Sequence, residues 1–295
     1  MARFAALFLL FANPNGYTVT RPALNATIVL HASDRTAGAI DSIKFRGKEY
    51  VNAFDHGREW QTAVSYDGFG ECLNPTEAGS AKDGAGPDSS SLLLNAEAHD
   101  GTLQTVGRPA YWLMPDELYK RPMCGLKKDV HTAQNKEVVS TDTILKNVTL
   151  GYRDLPNVID YVVTLNVGDA HESAVIEAVT GYMPPDFSLF LTFDPSTSQV
   201  GPLSAGPGEQ PLPVILATTD RQHAVGVLSL GQHPGYGRFI FLQNPGLKGW
   251  NTAKWNCVFR TGAIQPGPLT YRCLLVIGTV EEVRSTLTKL VKAQE

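Results

Sequence analysis

The sequence predicts an all-β protein: a large antiparallel β-sandwich with one C-terminal helix. Runs rich in Val, Ile, Thr and aromatic residues recur about a dozen times, separated by Gly, Pro and Asp turns. No helical pattern lies between successive runs, which excludes a βαβ arrangement. Hydrophobic residues make up 43% and charged residues 18% of the 295 positions, so a compact core is expected rather than disorder. All-β units of this length often form one domain.

The elements follow in order. Met1-Ala2-Arg3 precedes Phe4 to Ala12, an almost wholly apolar stretch without an acid. It reads as a secretory signal, the alternative being an apolar first strand. Residues 1–16 are therefore set apart from a single sandwich domain over 17–295, and a secreted or periplasmic location is expected. Strands are expected at Thr27–His31, Ala39–Phe45, Ser91–Ala96, Glu137–Leu145, Val148–Tyr152, Val158–Val167 and Ala174–Gly181. Further strands are expected at Ser188–Phe193, Val214–Thr218, Ala224–Leu230, Arg238–Gln243, Lys254–Arg260 and Leu269–Ile277. Thr279-Val280-Glu281-Glu282 is a capping box, and Val280, Val283, Leu287, Leu290 and Val291 repeat at helical spacing after it. The stretches Ala78 to Ser91 and Gly201 to Pro213 are rich in turn-forming residues and are expected as long surface loops of the same domain.

Several classes of function are disfavoured. The net charge is −4 and the longest basic run is Lys127-Lys128, so no nucleic-acid partner is expected. No apolar run approaches the ~20 residues that span a bilayer, so no membrane partner is expected. The seven histidines show neither HxH nor HExxH spacing and the cysteines no CxxC, which leaves a metal site without support. No P-loop, dinucleotide fingerprint or GxSxG elbow occurs, and no cofactor is expected. Cys72, Cys124, Cys257 and Cys273 allow three pairings or four buried thiols. Cys257 and Cys273 lie in consecutive strand-like segments that an exported protein could link.

The polar residues concentrate early. Phe54-Asp55-His56-Gly57-Arg58-Glu59-Trp60-Gln61 and Gly68-Phe69-Gly70-Glu71-Cys72-Leu73-Asn74-Pro75-Thr76-Glu77 place an imidazole, a guanidinium, carboxylates, amides and aromatic rings among glycines. Such a mixture suits a cleft that holds hydroxyl-rich molecules. His56 and Arg58 share a face if the segment is extended, and a His beside an Arg tends to stay neutral, as a proton acceptor requires. The alternative is an Asp55–Arg58 ion pair stapling a loop. Glu71 and Glu77 are candidate acid and base for glycoside hydrolysis. The alternative is an Ω-loop of purely structural use. Trp60 and Tyr66 would stack on a sugar ring, while Asp55, Arg58, Asn74 and His131 would orient it. Glu177 interrupts an apolar strand, where an acid is either outward and trivial or inward and functional. Val175 and Val179 would share its face, which favours burial and a catalytic role beside His56. The loops around His233 to Arg238 and Gly249 to Asn251 carry sugar-binding residue types with less to distinguish them.

Gly38-Ala39-Ile40-Asp41-Ser42-Ile43-Lys44-Phe45-Arg46-Gly47-Lys48-Glu49-Tyr50 resembles an early strand–turn–strand of the galactose mutarotase-like supersandwiches. Tyr271-Arg272-Cys273-Leu274-Leu275-Val276-Ile277-Gly278-Thr279 resembles their final strand. The mutarotase signature Asn-His-x-Tyr-Phe-Asn is absent, so no mutarotase catalytic residue carries over. The resemblance implies a β-supersandwich and carbohydrate chemistry without choosing a reaction. The leading expectation is a glycoside hydrolase acting on a poly- or oligosaccharide. The alternatives are a polysaccharide lyase or sugar epimerase, and a non-catalytic carbohydrate-binding sandwich. The sparse basic surface counts against an acidic polymer and hence against the lyase.

Overall fold

A computed structural model describes residues 15–241 and 251–293. The apolar stretch from Phe4 to Ala12, the end of the strand expected at Arg238–Gln243, and Trp250 lie outside the described residues. In chain order the strands are β1 (Tyr17–Ala23), β2 (Ala26–Ala32), β3 (Ile40–Phe45), β4 (Lys48–Glu49), β5 (Trp60–Tyr66), β6 (Pro75–Thr76), β7 (Leu92–His99), β8 (Thr102–Arg108), β9 (Ala110–Tyr111) and β10 (Thr143–Tyr152). They continue with β11 (Leu155–Val167), β12 (Ala174–Met183), β13 (Leu189–Asp194), β14 (Gln199–Pro202), β15 (Gly208–Gln210), β16 (Val214–Ala217), β17 (Ala224–Leu228), β18 (Gly235–Phe241), β19 (Thr252–Thr261) and β20 (Gly267–Gly278). One helix, α1 (Val280–Lys292), ends the described chain.

The strands form two antiparallel sheets. The larger runs β1-β2-β3-β5-β12-β19-β18-β15, with β4, β6 and β9 attached at its side. The other runs β14-β13-β16-β17-β20-β11-β10-β8-β7. Alternation along the central strands sends Ile159, Tyr161, Val163 and Leu165 of β11 into the space between the sheets, where they meet Leu30, Val64, Ile176 and Trp255. The Cys257–Cys273 disulfide joins β19 of one sheet to β20 of the other across this core. The two cysteines are therefore bonded, as their positions suggested, but across the sandwich rather than along one sheet.

The outer face of the smaller sheet is covered by α1. Thr279 Oγ1 accepts from the Glu282 amide at 3.1 Å, and Glu282 returns a carboxylate to the Thr279 amide at 2.7 Å, closing the capping box. Val280, Val283, Leu287 and Leu290 then pack on Val158, Ile215, Leu274 and Val276. Among the described residues no helix covers the outer face of the larger sheet over β5, β12 and β19, and there the polar residues collect.

Two features of β12 set up that face. Register against β19 passes from Glu177↔Val258 to Val179↔Cys257, and against β5 from Glu177↔Ala63 to Thr180↔Gln61. One extra residue is thus inserted, and the bulge reverses the facing of everything beyond it. Ala178 and Val179 both enter the core, while Glu177, Thr180 and Tyr182 face outward. The second feature is Gly181, opposite Trp60 on β5 and Trp255 on β19. The two indoles meet edge to face at 4.9 Å, and a Cβ on residue 181 would lie 2.2 Å from the Trp255 ring. Gly181→Ala is expected to cost about 1–3 kcal/mol by overpacking. A urea titration of the two proteins checks this, and an unchanged midpoint would contradict the assignment.

The expected strands at Glu137–Leu145 and Val148–Tyr152 form one strand that begins only at Thr143. The segment before it lies along β9, bridged at Val139. Strand β5, a central member of the larger sheet, was not expected. Its inward positions are Trp60, Thr62, Val64 and Tyr66 and its outward ones Gln61, Ala63 and Ser65, so the polar Thr62 and apolar Ala63 interrupt the alternation at its middle.

Candidate functional site

A cleft lies on the uncovered outer face of the larger sheet. It consists of two hollows, about 550 Å³ and 270 Å³, that share Gly57, Glu71, Trp112 and Tyr182 in their lining. The smaller hollow has its floor on three neighbouring strands: Gln61, Ala63 and Ser65 of β5, Glu177, Thr180 and Tyr182 of β12, and Lys254 of β19. Its wall is built by Glu71, Asn74, Thr76 and Trp112. Trp112 rests on Gly57, where a Cβ would come within 2.7 Å of the indole. The larger hollow extends between the Phe54–Arg58 loop, the Ser80–Ala85 loop and an arm over residues 113–121.

Two carboxylates face the smaller hollow from different elements. Glu177 projects from the bulged strand and pairs with the Lys254 ammonium at 3.0 Å. Lys254 also sits 5.0 Å from the centre of the Tyr182 ring. Burial would lower the Lys254 pKa, but Glu177 and Tyr182 together outweigh it and hold the ammonium charged well above its ordinary range. The Tyr182 hydroxyl is raised, first by burial, against the pull of Lys254. The second carboxylate, Glu71, stands on the 3₁₀ turn Gly70–Leu73. The adjacent Cys72 is bonded to Cys124, 52 residues on, which fastens the arm to this turn. Cys72, Cys124, Leu113 and Ala133 form a small core of their own beneath the arm. Closing a loop of that length limits the unfolded chain by about 4 kcal/mol in the chain-entropy account. The Tyr119 hydroxyl, on the arm, is pushed up to about 12 by burial and then by Glu71, with Arg121 pulling the other way.

Of the residues singled out in the sequence, Glu71, Glu177, Asn74, Asp55, His56 and Arg58 line the cleft. Asp55 and Arg58 pair with each other, and Asp55 also accepts from the Gly57 amide at 3.1 Å, so the stapled-loop alternative describes them. Glu177 faces outward, not inward as expected, because the bulge separates it from Val179. Outward here is toward the cleft.

His56 borders the larger hollow but is buried, and both ring nitrogens lie 2.8 Å from backbone carbonyls, those of Gly84 and Arg35. It ties two loops together and offers no free nitrogen to a substrate. Four residues stand elsewhere. Trp60 is a core residue against Trp255. Tyr66 is buried too, stacked on His171 at 3.7 Å and donating to Asp142 at 2.8 Å. Glu77 is 4% exposed and paired with the fully buried Lys146, behind the sheet rather than in front of it. His131 is exposed and outside the lining of both hollows, though its carbonyl anchors the Tyr119 amide at 2.8 Å.

Lys254, Tyr182, Trp112, Tyr119 and Gln61 were not anticipated. A signal for three of them exists. Gln61, Tyr182 and Lys254 occupy outward positions on strands whose inward positions carry apolar residues. Three strands distant in sequence had to be placed side by side before those positions formed a patch. Among the described residues no group of three or more His, Cys, Asp and Glu side chains is placed to hold a metal ion, and no helix is long and apolar enough to cross a membrane.

No family model matches the sequence, and no curated protein matches it. The fold does have counterparts among solved structures. An alpha-mannosidase from Enterococcus faecalis V583 superposes with a TM-score of 0.50 at 14% identity, over 95% of this chain and 32% of that one. A heparan sulfate lyase from Pedobacter heparinus gives 0.46 at 10% identity, over 92% and 37%. A galactose mutarotase-like protein from Lactobacillus casei ATCC 334 gives 0.46 at 9% identity, over 88% and 99%. The chain thus spans about a third of the length of the mannosidase and lyase chains. At these identities the likeness is one of architecture: this chain is a sandwich of the kind that recurs in those proteins, and its chemistry has to be argued from the cleft.

Proposed function

We propose that the protein is a carbohydrate-active enzyme that hydrolyses a glycosidic bond of an oligo- or polysaccharide in the cleft over β5, β12 and β19. The observation that carries this reading is that Glu71 and Glu177, from different elements, line one hollow together with Trp112 and Tyr182. Aromatic faces suit the CH faces of pyranose rings, and the amides of Gln61 and Asn74 suit hydroxyls. In the reaction one carboxyl gives its proton to the glycosidic oxygen as the bond from that oxygen to the anomeric carbon breaks. The other carboxylate either takes a proton from the water that adds to that carbon or adds to it first, to be displaced by water. Lys254, paired with Glu177, fixes that carboxylate in place. The two disulfides suit an oxidising compartment, which supports a secreted or periplasmic location.

Glu71→Gln and Glu177→Gln are each expected to lower turnover about 100-fold or more while leaving the affinity for product-length sugars within a few-fold. Reducing-end release from a glycan panel measures the first effect and calorimetric titration the second. Full turnover in both variants would overturn the assignment. Unsaturated products absorbing in the near ultraviolet would replace hydrolysis by elimination. Binding without turnover in the unaltered protein would leave a binding module.

A further inference from the structure

The cleft contains cations of two kinds. Arg58 and Lys254 are matched by acids of their own, Asp55 and Glu177. Lys120 and Arg121, which line the larger hollow from the arm, make no ion pair with any described residue, and both are exposed. From residue 113, where the arm begins, to residue 129 the chain holds four cations, Lys120, Arg121, Lys127 and Lys128, against three acids, Asp116, Glu117 and Asp129, in a chain whose net charge is −4. Glu117 is engaged within the arm, accepting from the Met114 amide at 2.9 Å. Lys127 lies 5.2 Å from the centre of the Phe69 ring, beside the Glu71 turn. The Cys72–Cys124 disulfide holds this basic segment against that turn. Four of the chain's 25 basic residues thus fall in this one arm, and two of them, Lys120 and Arg121, line the larger hollow.

We propose that Lys120 and Arg121 form an anion-binding subsite, and that the sugar taken into this cleft carries an acidic substituent, a carboxylate or a sulfate ester. The inference rests on the reading of the cleft as a carbohydrate site. An exposed guanidinium and ammonium without acids of their own attract and orient an anion, and the planar guanidinium fits the paired oxygens of either group. The uncharged remainder of the sugar would lie toward Trp112 and Tyr182, which both hollows share.

The test uses the full chain, in its Glu71→Gln form, so that binding is read without turnover and the Glu177–Lys254 pair stays intact. Three probes are titrated: a polygalacturonate oligomer, dextran sulfate and a neutral dextran oligomer. At least one acidic probe is expected to bind at least about tenfold tighter than the neutral one at low ionic strength, and to weaken steeply as salt rises. Lys120→Ala/Arg121→Ala is expected to remove that preference while leaving the thermal midpoint within a degree or two, since both side chains are exposed. The carboxylated and sulfated probes distinguish the two anions. Equal affinity for acidic and neutral probes, or an acidic preference that survives the double substitution, would overturn the proposal. Turnover of neutral glycans lost in Glu71→Gln, without any acidic preference, would sustain the hydrolase and sink the subsite. Acidic preference carried by Lys120 and Arg121 in a protein that never turns over a glycan would do the reverse.

Discussion

Lys146→Met is expected to destabilise the fold by about 3–5 kcal/mol, among the larger effects of any single substitution in this protein. Lys146 is fully buried on β10, where its ammonium donates to the Gly38 carbonyl at 2.7 Å and to the Glu77 carboxylate. Glu77 accepts the Thr62 amide at 2.8 Å through its other oxygen. The Thr62 hydroxyl in turn donates at 2.9 Å to the carbonyl of Ala178, the residue inserted at the β12 bulge. Removing the ammonium leaves a buried carboxylate without its counter-charge next to the strand that carries Glu177. The double variant Lys146→Met/Glu77→Gln removes both charges and keeps an acceptor for the Thr62 amide. It is expected to recover at least half of the loss, because replacing a buried pair costs far less than breaking one. Denaturant unfolding of the four proteins of the cycle measures both quantities. A single-variant loss under about 1 kcal/mol, the range of exposed pairs, would show the pair to be solvated.

The second large effect depends on pH. Glu59, at the foot of β5, is fully buried, and neither carboxyl oxygen has a hydrogen-bond donor of ordinary geometry among the described residues. Burial raises its pKa from the ordinary 4.5 to about 8, against the opposing pull of Arg35, 3.7 Å away, and of nearby backbone amides. In the unfolded chain the same carboxyl loses its proton near the ordinary value. Between those two pH values the folded form binds one proton more than the unfolded form, so stability falls as pH rises through the window. The gap between the two values corresponds to about 5 kcal/mol. Glu59→Gln carries no such penalty. It is expected to match the natural chain near pH 4 and to exceed it by several kcal/mol at pH 9, as read from urea midpoints across the range. Parallel stability profiles for the two proteins would refute a protonated Glu59.

These two groups also show how far a linear reading reaches. Glu77 drew attention as a carboxylate among glycines, and it does matter, but as half of a buried pair behind the site. Its partner lies 69 residues away on the other sheet, and nothing local announces it. His56 has the residue type of a catalytic base, yet it is spent on two backbone carbonyls supplied by loops around Arg35 and Gly84. Trp60 and Tyr66 belong to β5, which was missed as a strand because Thr62 faces inward and Ala63 outward, breaking the alternation at its middle. Glu177 was expected to point inward with Val179. A one-residue bulge, visible only in the pairing with β5 and β19, turned it outward.

The chain's own order of residues sufficed for the all-β class, for most strands, for the capped helix and for Glu71 and Glu177 as carboxylates worth following. Those features arise from interactions within a few residues: side-chain alternation, turn chemistry, a threonine and a glutamate three apart. The cleft arises otherwise. It needs β5, β12 and β19 as neighbours, a bulge that sets which face Glu177 takes, and a disulfide that folds a basic arm onto the Glu71 turn. Each of these joins residues far apart in sequence, and burial and charge pairing, which decide whether a polar side chain is structural or available, exist only once those distant surfaces have met.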